Sequence, residues 1–330
     1  MRPESVMEMF AIRGVPAGWR RLALGGNGEV WRLDVAEPVS SWAVKRSLFG
    51  EWSDDRARLA FQDAAVAAGI VAVRPRISLR GRYVETIDGR SVRVAAWVPG
   101  RPPAGDDPGC AEWLGRTLGI LHGLDFPTGG FAAPAAESVP EACVWPDLVE
   151  RARAAELPWA EDLRAAVPGL VEIAASWSDD QDAVRVVSHR DVQPANVVAD
   201  SVSGEFTLLD WDGVGLVNPA RELVSRLVTW HVHDGAVDEA GIGRTMTAYR
   251  ESGGRAVPRP ADAFGGAPDA LAYLVREVRL SIEADPVVRA HAISEVRALL
   301  DEQCPPAVLR RVLEVVGGLD PAGLKFSGPP

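Results

Sequence analysis

Cysteine is scarce in this sequence, and its scarcity argues against small disulfide-bonded or zinc-bound scaffolds. The three cysteines, Cys110, Cys143 and Cys304, lie far apart and show no metal-binding spacing. An odd number of scattered cysteines fits a reducing compartment. The N-terminal residues also lack the apolar segment of a signal peptide. We therefore expect a cytoplasmic protein.

Long hydrophobic runs and excess positive charge are missing as well. No apolar run is long enough to span a bilayer. The formal net charge is −11, which disfavours nucleic acid and anionic membranes as partners because both are negatively charged. Acidic residues cluster at 106–107, 179–182 and 234–239. These clusters are either solvated loops or a negative rim that attracts a cationic substrate.

The composition is otherwise that of a globular protein. Of the 330 residues, 47% are hydrophobic and 25% are charged, which are ordinary values for a packed chain. A chain of this length is expected to divide into two domains. Residues 1–98 are predicted to form strands around one helix, and residues 99–330 are predicted to be mainly helical. The predicted fold class is therefore α+β.

The most informative motif begins with His189-Arg190-Asp191. Asn196 follows Asp191 by five positions, and Asp210 ends the next apolar run. This spacing is typical of phosphoryl transfer, in which one carboxylate orients a substrate hydroxyl. Oxygen ligands such as those of Asn196 and Asp210 suit Mg²⁺ on nucleotide phosphates. We predict that Asp191 is catalytic, that His189 supports its loop, and that Arg190 belongs to the same catalytic group.

Strand signals on both sides bring the two halves of this motif together. Residues 184–187 are predicted to be a strand that leads into the loop, and residues 196–199 and 206–209 are predicted to pair as a hairpin. Asp210 would then return beside Asn196. The alternative is that Asp191 and Asp210 are ordinary turn residues and that His189 only packs, but short motifs rarely combine in this way by chance.

Lysine is almost absent, and one of the two lysines stands where a phosphate-binding residue is needed. Lys45 ends the strand-like segment 42–45, in the context of a phosphate-pairing lysine. Its retention among so many arginines indicates that a compact ammonium is required there. The alternative is a surface lysine without a function.

A glycine-rich turn precedes this strand. It consists of Gly25, Gly26, Asn27 and Gly28. Glycines let the backbone approach phosphate oxygens, and the pattern fits a phosphate-covering loop except that Ala23 replaces its first glycine. An ordinary hairpin turn is the alternative. The interpretation depends on the position of the turn, one hairpin before Lys45.

With these pieces in place, the chain resembles the aminoglycoside phosphotransferase and choline kinase-like family, relatives of the protein kinases. The matching segments are 25–27, 44–45, 97–100, 118–122, 189–196 and 210–212. The resemblance implies a two-lobed, protein-kinase-like fold. It has a small β-rich N-lobe with the nucleotide site and hinge at 1–98, and a larger, mainly helical C-lobe with the catalytic loop and substrate site at 99–330.

The resemblance also implies an activity. The expected reaction transfers the γ-phosphoryl group of ATP, or of GTP, with Mg²⁺, to a hydroxyl of an antibiotic or an amino-sugar-like small molecule. A kinase for choline, homoserine or a similar alcohol is one alternative. A nucleotide-binding pseudokinase is another, but a catalytically silent protein would need neither Asp191 nor Asn196.

Further residues follow from the resemblance. The hinge residues Ala96, Trp97 and Val98 are expected to bind adenine through their backbone. Asp63, on the helix after the lysine strand, is the expected acidic partner of Lys45, with Gln62 as a neutral substitute. The chain departs from the family in the missing first glycine, in Glu222, where an Asp is usual, and in the acid that pairs with the lysine, which no motif marks.

A last group of residues is predicted to border the substrate pocket. It consists of Asp212, Trp230, His231 and Asp234. Histidines 231 and 233 with Asp234 also resemble part of a metal site, but nothing else supplies zinc-type spacing. His122, at the end of an apolar helix face, is predicted to be structural.

Overall fold

The computed structural model describes residues 1–25, 28–105, 107–132, 139–178 and 184–319. Contacts divide the chain into two compact units. Unit 1 contains Met1–Pro102 and Val197–Leu209, and unit 2 contains Pro103–Asn196 and Asp210–Pro330. No helix in the described residues is long and apolar enough to cross a membrane.

Helices and strands follow one another along the chain in a β-rich first part and a helical second part. The helices are α1 (Pro3–Met9), α2 (Arg56–Ala67), α3 (Cys110–Gly123), α4 (Val144–Ala154), α5 (Ala160–Ser176), α6 (Pro219–His231), α7 (Glu239–Glu251), α8 (Ala267–Glu283), α9 (Pro286–Asp301) and α10 (Pro306–Gly318). The strands are β1 (Val15–Gly25), β2 (Gly28–Ala36), β3 (Ser40–Ser47), β4 (Glu85–Ile87), β5 (Arg90–Ala96), β6 (Val186–Ser188), β7 (Val197–Ala199), β8 (Phe206–Leu208), β9 (Gly215–Val217), β10 (Val232–His233) and β11 (Ala236–Val237). Short 3₁₀ helices cover Thr128–Gly130, Pro194–Asn196, Trp211–Gly213 and Pro260–Phe264.

Unit 1 is built on one antiparallel sheet of the order β1-β2-β3-β5-β4. The turn between β4 and β5 consists of Asp88 and Gly89, which both have positive φ, 51° and 71°. This backbone conformation matches the right-handed twist of a two-residue hairpin. Unit 1 also contains α1, which was not predicted, in addition to the one expected helix.

Helix α1 buries its apolar side chains with one face of this sheet. The buried members of this core are Val6, Met7, Phe10, Ile12, Leu33, Val35, Val44, Ile87, Val92 and Val94. Because alternate residues of a strand point to opposite faces, Lys45 lies on the opposite face from its neighbour Val44.

Unit 2 contains a pair of unusually close helices, α3 and α7. A Cβ atom at Gly115 would overlap the carbonyl oxygen of Thr245, and one at Gly119 would lie 2.5 Å from the carbonyl oxygen of Tyr249. Glycine at these two positions therefore lets the two backbones touch. The remaining helices of unit 2 pack around fully buried Trp145 and Trp159.

Two short strand pairs carry the predicted motif. The strand before the catalytic loop is β6, one or two residues later than predicted, and it pairs with β9. The predicted hairpin is confirmed as β7 and β8, with Val197 opposite Leu208. Asn196 immediately precedes this hairpin and Asp210 follows it, so the hairpin connects the two residues.

Candidate active site

The carboxylate of Asp191 is held by Asn196. The side-chain amide of Asn196 donates to Oδ2 of Asp191 at 2.6 Å and to the backbone oxygen of Asp191 at 3.0 Å. The loop between them is tightened by hydrogen bonds from the Gln193 N–H to the Asp191 carbonyl and from the Asn196 N–H to the Gln193 carbonyl. One carboxylate oxygen is thus fixed by the protein, while the side chain keeps 42% exposure.

His189 packs against the start of this loop. It is completely buried, and its Nδ1 accepts a hydrogen bond of 3.2 Å from the backbone N–H of Asp191. Its ring packs edge-on against Trp211, with 4.8 Å between centroids. These contacts hold the start of the loop that carries Asp191.

Two residues of the motif have the left-handed backbone conformation. Arg190 has φ 68°, and Asp210 has φ 57° and ψ 61°. This conformation is uncommon outside glycine and is concentrated at functional sites. The guanidinium of Arg190 lies 3.8 Å from the exposed Asp269 carboxylate at the start of α8. The structure therefore shows Arg190 in a link between the catalytic loop and α8.

The residues at the end of the hairpin suit a divalent cation. The nitrogen of the Asn196 amide is used on Asp191, so its oxygen is the atom left to serve as a metal ligand. Asp210 supplies a carboxylate after β8, and Asp212 follows in the 3₁₀ helix Trp211–Gly213. Amide and carboxylate oxygens are the ligands that Mg²⁺ prefers, so the donor set fits this ion.

Arg226, which the sequence did not single out, lies beside Asp191. Its Nη1 is 3.8 Å from Oδ1 of Asp191, and its side chain is 15% exposed. Its Nη2 donates to the hydroxyl of Ser225 at 2.9 Å. Arg226 is on α6, 35 positions after Asp191, and no local pattern marks it.

Lys45 shares its face of the unit 1 sheet with another cation. It is paired with Arg93 in the register of β3 and β5. Its ammonium lies 5.8 Å from the centre of the Trp52 ring, and the Arg93 guanidinium lies 4.7 Å from the same ring. This face therefore carries two positive side chains around one indole.

The expected acidic partner of Lys45 binds elsewhere. Asp63 forms an exposed ion pair with Arg74 at 2.5 Å, because α2 directs its carboxylate outward. Gln62 is buried and donates to the carbonyl of Val73 at 2.9 Å. The structure thus corrects the prediction: Asp63 pairs with Arg74, and Gln62 closes a loop of unit 1.

The glycine-rich turn joins β1 and β2. Gly25 and Gly28 are paired at its base, while Gly26 and Asn27 lie outside the described residues, as do the acidic residues at 106, 179, 180 and 182. A Cβ atom at Gly28 would lie 2.7 Å from the carbonyl oxygen of Arg46 and 3.2 Å from the Trp52 ring. Glycine is therefore required at position 28 by contacts within unit 1.

Glu29, immediately after the turn, is buried in a set of hydrogen bonds that the sequence did not reveal. Its carboxylate accepts from Arg21 at 3.0 Å, from the Trp31 indole at 3.1 Å and from Arg46 at 2.6 Å. Burial raises its pKa, but these donors outweigh burial, so the pKa is lowered from its ordinary value. An ionised Glu29 therefore anchors the base of the turn.

The predicted hinge begins where β5 ends. Ala96 is the last residue of β5 and is paired with Trp42. The N–H of Trp97 donates to the carbonyl of Ser41 at 2.9 Å, and its ring lies 4.9 Å from the Arg32 guanidinium. The Trp97 N–H is therefore used in a hydrogen bond within the sheet and not for a nucleotide base. Val98 is the next residue.

The structure corrects the predicted position of Trp230 and His231, which are core residues and not pocket walls. Trp230 is 1% exposed, and its indole N–H donates to the carbonyl of Val192 at 2.9 Å. His231 is 2% exposed, and its Nε2 is 2.8 Å from the hydroxyl of Thr245. Both lie on the inner face of α6, whose apolar spacing buries them.

Burial also changes the acid–base behaviour of His231. Loss of solvent is the main cause that lowers its pKa to about 4, against the opposing charge of Asp238. Asp234 is an exposed residue with φ 51° in the turn between β10 and β11. Within the residues that the structure describes, no group of three or more His, Cys, Asp and Glu side chains is placed to hold a metal ion, at His231 and Asp234 or elsewhere.

His122 belongs to a buried hydrogen-bonded network, as its predicted structural role requires. Its Nε2 lies 2.9 Å from Oε2 of Glu222, and its Nδ1 lies 3.0 Å from the hydroxyl of Tyr249. Burial raises the pKa of Glu222, but the contact with His122 and the charge of Arg226 outweigh it, and the pKa falls to about 2. Glu222 thus joins α3, α6 and α7 where the family usually has an Asp.

Comparisons with known proteins identify a matching family and solved structures with a similar fold. Residues 18–264 match the model of the phosphotransferase enzyme family, APH. No curated protein matches the sequence. The crystal structure of spectinomycin phosphotransferase APH(9)-Ia, with ADP and spectinomycin, is 14% identical, with a TM-score of 0.60 over 94% of this chain and 96% of that one.

Other solved structures give the same result. The amicoumacin kinase hAmiN, with AMP-PNP, Ca²⁺ and Ami, is 17% identical, with a TM-score of 0.56 over 92% of this chain and 93% of that one. An aminoglycoside phosphotransferase from Alicyclobacillus acidocaldarius is 17% identical, with a TM-score of 0.52 over 96% of each chain. The predicted protein-kinase-like α+β fold, with a β-rich N-lobe and a larger helical C-lobe, is confirmed.

Proposed function

Because this chain belongs to the phosphotransferase enzyme family, we propose that it transfers the γ-phosphoryl group of ATP to a hydroxyl of a small-molecule acceptor. The observation that carries the proposal is the Asp191 carboxylate, held at one oxygen by Asn196 and open at the other. A carboxylate so placed orients a hydroxyl and accepts its proton. Phosphoryl transfer needs little else from the protein than positioning and electrostatic stabilisation.

The other residues have roles around the nucleotide. Residues 1–98 form the proposed nucleotide lobe, in which Lys45 pairs with the phosphates, the turn 25–28 covers them, and the backbone groups at 96–98 other than the Trp97 N–H contact the base. Asn196 and Asp210 would hold Mg²⁺, and Asp212 orders the loop beside it. The bound ion supplies positive charge to the nucleotide phosphates. The family members with ADP and AMP-PNP support ATP over GTP as the donor.

We propose an antibiotic or an amino-sugar-like acceptor. Two structures with the same fold contain spectinomycin and amicoumacin, and the net charge of −11 favours an acceptor that carries an amine. A metabolic alcohol such as choline or homoserine is the second candidate. A pseudokinase is disfavoured because the hydrogen bonds that align Asp191 have no purpose in a silent protein.

A phosphate-transfer screen tests the proposal. The purified chain is incubated with labelled ATP and Mg²⁺ against cationic antibiotics, amino sugars, choline and homoserine, with Asp191→Asn as the inactive control. Transfer to one class that Asp191→Asn abolishes would support the proposal. The best acceptor is then measured at low and at high salt, because screening with a Debye length of about 8 Å at 0.15 M weakens attraction between exposed charges. A neutral or anionic best acceptor would contradict the cationic class alone, and transfer to none would contradict the kinase.

A further inference from the structure

Arg226 lies beside the reacting oxygen of Asp191 without bonding to it. The 3.8 Å between its Nη1 and Oδ1 of Asp191 exceeds a hydrogen bond. Its Nε is buried and has no hydrogen-bond partner among the described residues. Arg226 is half-buried, and a buried Nε–H without an acceptor is costly for a protein to keep, so a role for the guanidinium beside Asp191 is expected.

The geometry of Asp191 shows what this guanidinium faces. Asn196 holds Oδ2, so Oδ1 is the oxygen left to contact the acceptor hydroxyl. That hydroxyl lies about 2.6–3.2 Å from its base, and the phosphorus it attacks lies about 3–3.5 Å further on. Arg226, on the Oδ1 side, is therefore within one side chain's reach of the phosphoryl oxygens.

We propose that Arg226 is a further catalytic residue that binds the phosphoryl group during its transfer, an inference that rests on the proposed function. In this step the acceptor oxygen forms a bond to the γ-phosphorus, and the bond from that phosphorus to the β-phosphate oxygen breaks. The hydroxyl proton passes to Asp191, and the electron pair of the broken bond leaves with ADP. Negative charge on the phosphoryl oxygens is then met by the planar guanidinium, which can donate two parallel hydrogen bonds.

A purely structural role for Arg226 makes a different prediction. Its charge also stabilises the ionised carboxylate of Glu222, so the structural alternative is that Arg226 serves only as a counter-ion to Glu222. Arg226→Lys keeps the positive charge for Glu222 but loses the planar fork. A counter-ion role therefore tolerates Arg226→Lys, whereas a role on the phosphoryl group does not.

The test compares binding of Mg-ADP with binding of Mg-ADP and aluminium fluoride, a mimic of the transferring phosphoryl group. Affinities are measured by titration calorimetry for the wild type, Arg226→Ala and Arg226→Lys. We expect aluminium fluoride to strengthen binding to the wild type and both variants to lose most of that gain, by about 10²–10³-fold for Arg226→Ala. Affinity for Mg-ADP alone should stay unchanged.

The matched control is Arg221→Lys on the same helix. Arg221 is a buried arginine paired with Asp262 at 3.5 Å, so this variant should keep the gain. An equal increase in affinity on adding aluminium fluoride in Arg226→Lys and the wild type would overturn the Arg226 inference and leave the proposed kinase activity intact. The same conclusion would follow if the wild type bound Mg-ADP but aluminium fluoride did not raise its affinity. If Arg226→Ala does not fold, Arg226→Lys decides. A wild type that does not bind Mg-ADP would overturn the proposed function itself.

Discussion

The indole N–H of Trp230 donates to the backbone carbonyl of Val192, one residue after Asp191, at 2.9 Å. This hydrogen bond ties α6 to the middle of the catalytic loop. Because Trp230 is 1% exposed, solvent cannot replace the donor if it is lost. An unsatisfied buried acceptor costs about 1–3 kcal/mol.

Trp230→Phe should therefore lower both stability and turnover. We expect the free energy of unfolding to fall by the cost of the lost hydrogen bond and cavity, and kcat to fall more than KM rises because the loop loses its support. The matched control is Trp159→Phe, since Trp159 is fully buried and its indole nitrogen has no partner among the described residues. Equal kcat values in the two variants would show that the Val192 contact does not position the loop.

Asp191→Ala should separate chemistry from binding. In the proposed function the carboxylate contacts the acceptor and not the nucleotide base, so Mg-ATP affinity should persist while kcat falls by about 10²–10⁴-fold. Asn196→Ala should lower kcat less, because it frees Oδ2 without removing the base. Asp147→Ala, an exposed carboxylate on α4, is the control. A turnover close to wild type in Asp191→Ala would show that another residue is the base.

Asp210→Ala and Lys45→Ala should each weaken nucleotide binding, for different reasons. Asp210 is the proposed metal-ligand carboxylate, so its loss should abolish the Mg²⁺ dependence of nucleotide affinity. Lys45 is the proposed source of positive charge for the phosphates, so its loss should weaken binding of ATP more than binding of adenosine. Calorimetric titration with and without Mg²⁺ measures both effects. Unchanged Mg-ATP affinity in both variants would rule out this nucleotide site.

The sequence predicted the parts of the site that depend on short-range pairing. The hairpin that joins Asn196 to Asp210 follows from two apolar runs and a polar turn between them, all within fifteen residues. The strand-like segment 42–45 that ends at Lys45 likewise lies within β3.

The remaining parts depend on contacts between distant segments. Arg226 reaches Asp191 only because α6 packs beside the catalytic loop, and Asp63 turns to Arg74 because of the path of the chain after α2. Trp230 and His231 were predicted to face a substrate because they follow the catalytic segment. Only the packing of α6 shows that they face inward.

Gly115→Ala should destabilise the protein although alanine favours helices. The added Cβ would overlap the Thr245 carbonyl of α7, and overpacking of this kind costs about 1–3 kcal/mol or more. The control is Gly169→Ala in α5, where a Cβ has no heavy atom within 4 Å. That variant should gain about 0.5–1 kcal/mol through helix propensity. Urea unfolding of both variants measures the difference, and equal stabilities would contradict the close α3–α7 contact.

Stability should depend on pH through His231, because burial lowers its pKa in the folded state to about 4. In the unfolded chain its pKa is about 6.5. Above pH 6.5 the imidazole is neutral in both states, and its contribution to stability is constant. As the pH falls below 6.5, the unfolded chain takes up a proton that the folded chain does not, so unfolding becomes more favourable. The loss reaches about 2 kcal/mol at pH 5 and is complete below pH 4, at about 3 kcal/mol.

His231→Gln removes this titration. Its free energy of unfolding, measured by urea at pH 7 and at pH 5, should fall by about 2 kcal/mol less than that of the wild type. Glu222 does not affect this comparison between pH 7 and pH 5. Its pKa in the folded state is about 2, so its contribution to stability is lost only below the ordinary pKa of a glutamate, near 4.5. His291→Gln is the control, since this histidine lies near the Glu295 carboxylate on α9 and is less buried. An identical pH dependence in wild type and His231→Gln would show that His231 is protonated in the folded protein and that solvent reaches its ring.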